Sequence, residues 1–443
     1  MKINIDIVRN TRYKGNIVLS ALAIVGCETS ESALSDAMPD QIGDGAAVTG
    51  KFTPPGDGTL VIIGQTSDGI RYYLDNAGNK PYGVTIYTNP ILDGDGWSLP
   101  GGGTASQSAT YRDDYGPQSL TYLQQEPQLG DRAVAVGLYI GFAYETDVAY
   151  GENRMRDVVY PQGVIYSGAQ MRENLSHMIT DLKALNRPVF LRIGYEAEGY
   201  WNGHWPDAYK LVWRAVKDEI TAHNATNIAT VWQLAAYCES SVGPIRNPGP
   251  LVASDPIDKY SNEKRVVSPG DYEDWYPGDD VVDWTAISIF TQGYDCDTGS
   301  KQGYQVMQEV VDYLKQKGKP IMVAESAPKG YDLANGVFEQ VGLPRRTGLS
   351  GQAMWDEWFQ PYFDFIEVNK KFIRAIAYIN DDWEQYNHWQ CTTDDNGNIV
   401  SGCVEDAWNN SRLDANPTIQ SNWNAVITGG GYVLDPMDRD TAR

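Results

Sequence analysis

Two glutamates at the ends of apolar runs are the residues of this chain best placed to do chemistry. Glu196 follows the run Val189–Ile193 in "RPVFLRIGYEAEGYWNGH", and Glu325 closes "IMVAE". Two carboxyl groups in one pocket can divide the roles of nucleophile and proton donor if their surroundings push their pKa values apart. Arg192 precedes Glu196 by four residues, on the same face of an extended strand. From there its guanidinium would donate hydrogen bonds into the site; a structural ion pair with a buried carboxylate is the alternative. Trp201, Trp205 and Trp383 bring flat rings that stack on sugar faces and serve equally well as core filling. Asn380, Asp381 and Asp382 lead into Trp383. Glu198 competes with Glu196, but Gly199 argues that the strand has ended, which leaves Glu198 on a loop.

These residues need a scaffold that turns distant strand ends toward one another. Eight apolar runs supply it: Leu60–Gly64, Val84–Thr88, Ala133–Ile140, Val189–Glu196, Ile228–Leu234, Trp284–Phe290, Ile321–Glu325 and Ile373–Ile379. Such continuous runs are expected of parallel strands covered on both faces. Between them, "AQMRENLSHMITDLKAL" and "GYQVMQEVVDYLKQKGK" carry apolar residues at helical spacing, the second stopping on Gly318 and Pro320. Eight strands alternating with helices predict a (β/α)8 TIM barrel of α/β class, as a single domain. Function then gathers at the C-terminal ends of the strands. Trp232 and Trp284, inside apolar runs, belong to the core.

The chain has 443 residues, 42% of them hydrophobic, enough for a large core, and a formal net charge of −23. That charge excludes nucleic acid and a polybasic membrane contact. The four histidines are scattered without zinc-like spacing, so no metal and no cofactor is expected. "DGDG" at Asp93–Gly96 reads as a turn. Basic residues before a short apolar run ending "IVGC" read as an export signal over residues 1–26, and the motif resembles the lipobox, with Cys27 the lipidated residue. An ordinary secretory signal is the alternative. Residues 27–56 read as an acidic flexible tether, 57–430 as the barrel and 431–443 as a tail. A monomer anchored at the outer membrane or cell surface is expected. In an exported chain Cys391 and Cys403, flanking an Asn-Gly turn signal, are the better disulfide pair; Cys238 with Cys296 follows by elimination.

"RPVFLRIGYEAEGYWNGH" resembles the fourth-strand motif of glycoside hydrolase family 26, "WYPGDDVVDWTAIS" resembles its approach to the sixth strand, and "VAES" takes the nucleophile position on the seventh. The resemblance covers roughly residues 60–423 and extends to the wider clan of retaining barrel β-glycosidases. It implies Glu196 as acid/base and Glu325 as nucleophile in a double displacement, with Arg192, Tyr195, Trp201, Trp205, Tyr294, Asn380 and Trp383 around a polysaccharide. Tyr195 stands where the mannanases have histidine, and Ser326 where phenylalanine and glycine are usual. Phe290 cannot supply the family's sixth-strand tyrosine, which leaves Tyr294. The implied substrates are β-mannan or β-1,3-xylan, cut internally, with agar or carrageenan as alternatives if Lys329, Arg345 and Arg346 form a basic patch. A non-catalytic glycan-binding lipoprotein on the same barrel is the competing reading.

Overall fold

The computed structural model describes residues 47–88, 120–140, 167–199, 202, 204, 206–236, 269–290, 303–339, 344–386, 392–393, 399–401 and 408–436. These lie in the unit Ala46–Arg443. Trp201, Trp205, Tyr294, the DGDG stretch, residues 1–46 with Cys27, and all other cysteines lie outside the described residues.

Strands and helices alternate: β1 (Thr59–Gly64), α1 (Ser67–Asn76), β2 (Gly83–Thr88), α2 (Leu120–Gln125), β3 (Ala133–Leu138), α3 (Ser167–Ala184), β4 (Val189–Ile193) and α4 (Pro206–Ala222). They continue as β5 (Ile228–Leu234), α5 (Pro269–Tyr272), β6 (Trp284–Ile289), α6 (Gly303–Lys315), β7 (Ile321–Ser326), α7 (Gln360–Val368), β8 (Ile373–Ile379) and α8 (Pro417–Thr428). Each strand pairs in parallel with the next, and β8 returns to β1 with Leu60 opposite Ala375 and Gly64 opposite Ile379. The sheet is a closed eight-stranded barrel, as expected. Thr392–Thr393 and Ile399–Ser401 form a separate antiparallel pair around the Asn-Gly signal.

Two apolar layers hold the barrel. Residues facing the helices, such as Val134, Val136, Leu191, Ile193, Ile287 and Val323, pack against Leu175, Ile179, Trp213 and Leu314. Their alternates fill the interior: Leu60, Ile62, Ala135, Phe190, Val231, Trp284, Met322 and Ala377. Small alanines leave room for the edge-on contacts of Phe190 with Trp284 (ring centroids 5.3 Å apart) and with Phe52 (5.9 Å).

Phe52 corrects one boundary. It stands in the stretch read as tether, yet it is buried in the inner cluster with φ at 63°. Arg374, fully buried, donates to the carbonyls of Gly58 (3.1 Å), Val48 (3.3 Å) and Pro54 (2.6 Å). Trp284 Nε1 donates to Lys51 O at 2.7 Å. The stretch from Val48 therefore belongs to the barrel as its lower plug, because a barrel interior open at one end would leave Phe190 and Trp284 wet. At the other terminus Tyr432 and Val433 pair with Thr59 and Leu60, beyond the boundary expected at residue 430.

Phe52→Ala is expected to lower stability by about 3 kcal/mol, read as a reduced urea midpoint. A chain beginning at residue 57 should lose at least as much relative to one beginning at residue 46. An unchanged midpoint in both would return this segment to the tether.

Candidate active site

The polar side chains of the interior lie one layer above the apolar plug. Arg192 on β4, fully buried, donates from Nη1 to Glu325 Oε1 at 2.5 Å and to Gln233 Oε1 at 3.1 Å, and from Nη2 to Thr85 Oγ1 at 3.3 Å. Its guanidinium also lies 4.8 Å from the Tyr87 ring centroid and 5.6 Å from that of Tyr195. Gly137 on β3 makes this possible, since a Cβ there would sit 2.8 Å from Arg192 Nη2 and 2.5 Å from the Tyr87 ring. Burial pulls the guanidinium's proton affinity down, but Tyr87 and Glu325 more than offset this and hold it above its ordinary value. Burial, then the Glu325 charge, pushes the Tyr87 hydroxyl well above its ordinary pKa, and that hydroxyl hydrogen-bonds Glu325.

Glu325 reaches the interior through a β-bulge. Ile287 pairs with Val323 but Ser288 pairs with Glu325, so Ala324 is an extra residue on β7. The same surplus appears against β8, where Ile376 pairs with Val323 and Tyr378 with Ser326. Ala324 and Glu325 thus both turn inward. Ser326 turns outward, within 3.1 Å of the Tyr362 hydroxyl and donating to Ala377 O at 2.9 Å.

Glu196 is not on a strand. The expected extension of β4 to residue 196 stops at Ile193, and the chain turns left-handed at Gly194 (φ 54°) and again at Glu196 itself (φ 52°). A non-glycine residue tolerates this where its surroundings over-determine it. Here Tyr209 donates to the carbonyls of Ile193 and Gly194, both at 3.0 Å, and Asn202 Nδ2 donates to those of Tyr195 (2.9 Å) and Glu196 (3.3 Å). The turn brings the Glu196 carboxyl over β6, where Ser288 Oγ donates to its Oε1 at 2.9 Å. Ser288 in turn receives Gln233 Nε2 at 3.0 Å. Glu196 and Glu325 therefore share one polar layer, at the mouth formed by the strands' C-terminal ends, and are buried to 8% and 7% exposure.

The neighbouring candidates separate. The Glu198 carboxylate accepts from the backbone of Ala235 (2.8 and 3.0 Å) and Ala236 (3.1 Å), so it fastens the end of β5. His204 is buried, and desolvation lowers its pKa to about 3, leaving it neutral. Asn380 donates to Gly69 O at 3.1 Å and accepts from Leu413 N at 2.8 Å, which commits both ends of its amide to the scaffold. Trp383 is 3% exposed, with Nε1 on Ser411 Oγ and its ring 4.7 Å from that of Trp408. A stacking platform needs an open face, which the buried Trp383 does not present; its neighbour Trp408 is half-buried. Half-buried Tyr195 meets Tyr87 edge-on at 5.2 Å and Tyr139 at 6.3 Å. Of the three residues a basic patch for a sulfated glycan would need, Arg346 is paired with Glu357 and Arg345 with Glu339, while Lys329 lies over the Trp408 ring at 5.0 Å.

Thr85, Tyr87, Gln233 and Ser288 were missed by the sequence reading. Each is a polar residue near the C-terminal end of an otherwise apolar strand, and that was the available signal.

No protein-family profile matches the chain. A β-1,3-xylanase of Alcaligenes sp. is 27% identical over 396 residues, covering 88% of this chain and 68% of that protein. β-1,3-xylanase TXYA of Vibrio sp. is 27% identical over 390 residues, covering 87% and 68%. Among solved structures, a GH26 β-mannanase from Bacteroides ovatus superimposes with TM-score 0.50 at 10% identity, covering 87% of this chain and 93% of that one. GH26C from Muricauda sp. MAR_2010_75 does so with TM-score 0.52 at 12% identity, covering 87% and 90%. These two likenesses establish the fold, and the curated homologues are glycoside hydrolases. In its fold the chain resembles glycoside hydrolase family 26, and its 27% identity to the β-1,3-xylanases is that of a distant relative.

Asp381 ties this mouth together. Its carboxylate accepts from Gln65 N (3.1 Å), Thr66 N (3.2 Å), Thr66 Oγ1 (2.8 Å) and Tyr386 OH (2.9 Å). Burial nevertheless pushes its pKa up to about 6, the donors opposing. A folded pKa above the unfolded value gives stability that is complete below about pH 4 and is lost as pH rises through 6. Asp381→Asn should flatten that fall. It should also be less stable than wild type at pH 4 by about 2 kcal/mol, because an amide NH2 then faces donors. Urea midpoints from pH 4 to 7 decide this; parallel profiles for the two proteins would refute it.

Proposed function

We propose that this chain is a retaining, endo-acting glycoside hydrolase that cleaves a neutral β-linked polysaccharide by double displacement. The observation that carries this reading is the convergence of Glu325, held by Arg192, and Glu196, held by Ser288, in one buried polar layer at the barrel mouth. In the first step the Glu325 carboxylate attacks the anomeric carbon while Glu196 gives its proton to the departing glycosidic oxygen. The C–O bond breaks and a glycosyl ester forms on Glu325. In the second, Glu196 takes a proton from water, the resulting hydroxide-like oxygen attacks the same carbon, and Glu325 leaves as carboxylate. Arg192 and Tyr87 orient Glu325 and stabilise its charge between turnovers.

For the substrate, β-1,3-xylan is the first candidate, since the two curated relatives that match over 87–88% of this chain are β-1,3-xylanases; β-mannan is the second. The pairing of Arg345 and Arg346 with glutamates and the net charge of −23 weigh against sulfated galactans. Trp408 and the tyrosines Tyr87, Tyr139 and Tyr195 offer the partly exposed rings for stacking. The export signal, Cys27 lipidation and a Cys391–Cys403 bridge stay part of the proposal: a Cys27→Ser protein should leave the membrane fraction or remain unprocessed.

Glu325→Ala is expected to abolish turnover on every substrate. Glu196→Ala should cut polysaccharide hydrolysis by roughly 10²–10⁴ yet still be glycosylated by an activated aryl glycoside, with azide yielding a product of retained configuration. Azide should rescue Glu325→Ala with inversion instead. Proton NMR of the first wild-type product tests the whole scheme: an inverted anomer ends it, and binding without sugar release across a xylan, mannan and galactan panel would favour a glycan-binding protein.

A further inference from the structure

The hydrogen bonds between the two glutamates have a fixed polarity. Arg192 has donors only, so it must meet the Gln233 amide at its oxygen, at 3.1 Å. That settles the amide's orientation and turns Nε2 toward Ser288 Oγ, at 3.0 Å. Nε2 donates, so Ser288 Oγ accepts there and its own hydrogen is directed to Glu196 Oε1, at 2.9 Å. Arg192, Gln233 and Ser288 are all buried, at 0%, 0% and 3% exposure. Water therefore screens the chain poorly, and its aligned dipoles reinforce one another.

We infer that Gln233 and Ser288 are positioning residues that hold the inner oxygen of Glu196 as an acceptor and tie its proton affinity to the charge on Glu325. The inference rests on the acid/base and nucleophile assignment made above. With Oε1 held as an acceptor, the acidic proton is carried on Oε2. While Glu325 is a carboxylate it neutralises Arg192. Once Glu325 is esterified, the Arg192 charge is uncompensated, and the dipoles of Gln233 and Ser288 direct their positive ends at Glu196. Its carboxylate form is then favoured at the step in which it must take a proton from water. Of the described titratable side chains near Glu196 in sequence, Tyr195 sets its ring against Tyr87 of β2, Glu198 is turned onto the backbone after β5, and His204 is neutral.

The test compares Ser288→Ala, Ser288→Thr and Gln233→Glu with wild type. Removing the Ser288 donor destabilises the Glu196 carboxylate, so the basic limb of kcat/KM should move up by about one pH unit. Turnover of an activated aryl glycoside, limited by the second step, should fall several-fold in kcat without a matching rise in KM. Ser288→Thr keeps a hydroxyl and should restore both. Gln233→Glu is nearly isosteric and presents an acceptor to Ser288, drawing its hydrogen away from Glu196; it should shift the limb in the same direction, and it stands as the second variant should Ser288→Ala fold poorly. A limb that stays in place in Ser288→Ala and Gln233→Glu overturns the relay. If the wild type proves inactive, the assignment fails separately, and carbon-13 titration of labelled Glu196 still decides the relay. Its midpoint must rise in both variants, and equal midpoints overturn it.

Discussion

The barrel is organised around a buried guanidinium. Arg192 is fully removed from water in the middle of β4, and a charge so placed must be paired and hydrogen-bonded or the fold loses several kcal/mol. Its surroundings answer that demand from several strands: Thr85 from β2, Gln233 from β5 and Glu325 from β7, with Tyr87 and Tyr195 covering its faces. Nε alone has no acceptor among the described residues. Below this layer the interior is apolar, built from Phe190, Trp284, Met322 and the Phe52 plug. The apolar floor and the cation above it support one another, because the floor raises the penalty for leaving Arg192 unpaired and so fixes where a carboxylate must go.

Regular barrel strands would not have placed either glutamate correctly. Had β7 kept its alternation, Glu325 would face the helices, where Ser326 now meets Tyr362. The extra residue at Ala324 reverses that parity just at the strand's end. β4 uses the opposite device, ending early and folding through two left-handed residues so that Glu196 leans over β6. Both irregularities are local departures that re-aim a carboxylate, and the turn at Glu196 is held by hydrogen bonds from Tyr209 and Asn202.

This explains what the sequence could and could not disclose. The eight strands were legible because continuous apolar runs such as "IATVWQL" have few other uses, and the two glutamates were legible as carboxylates ending such runs. The route by which they reach the site was not. Period-two reasoning put Arg192 and Glu196 on one extended face, but Gly194 turns left-handed, a freedom that glycine permits without announcing it. The bulge at Ala324 leaves no compositional mark at all. Phe52 was lost among prolines and glycines, and Glu198 and Asn380 looked available because their backbone partners, Ala235 just after β5 and Gly69 in α1, lie far away in sequence. Tyr87, Gln233 and Ser288 were overlooked for a different reason: a single polar residue in an apolar strand has many structural uses.

The strand order also sets how the aromatic rings are distributed around the mouth. Tyr87, Tyr139 and Tyr195 come from the ends of β2, β3 and β4, whereas Phe290, Trp383 and Trp408 cluster near the ends of β6 and β8, with Trp408 meeting Phe290 edge-on at 4.9 Å. In a closed eight-stranded ring these arcs lie on opposite sides, and the chain Glu325–Arg192–Gln233–Ser288–Glu196 runs between them. Among the described cations, Arg192 is paired with Glu325 and Arg346 with Glu357, and Lys329 lies over the Trp408 ring. Aromatic rings and neutral hydrogen-bonding groups around this mouth agree with the neutral polysaccharide proposed above.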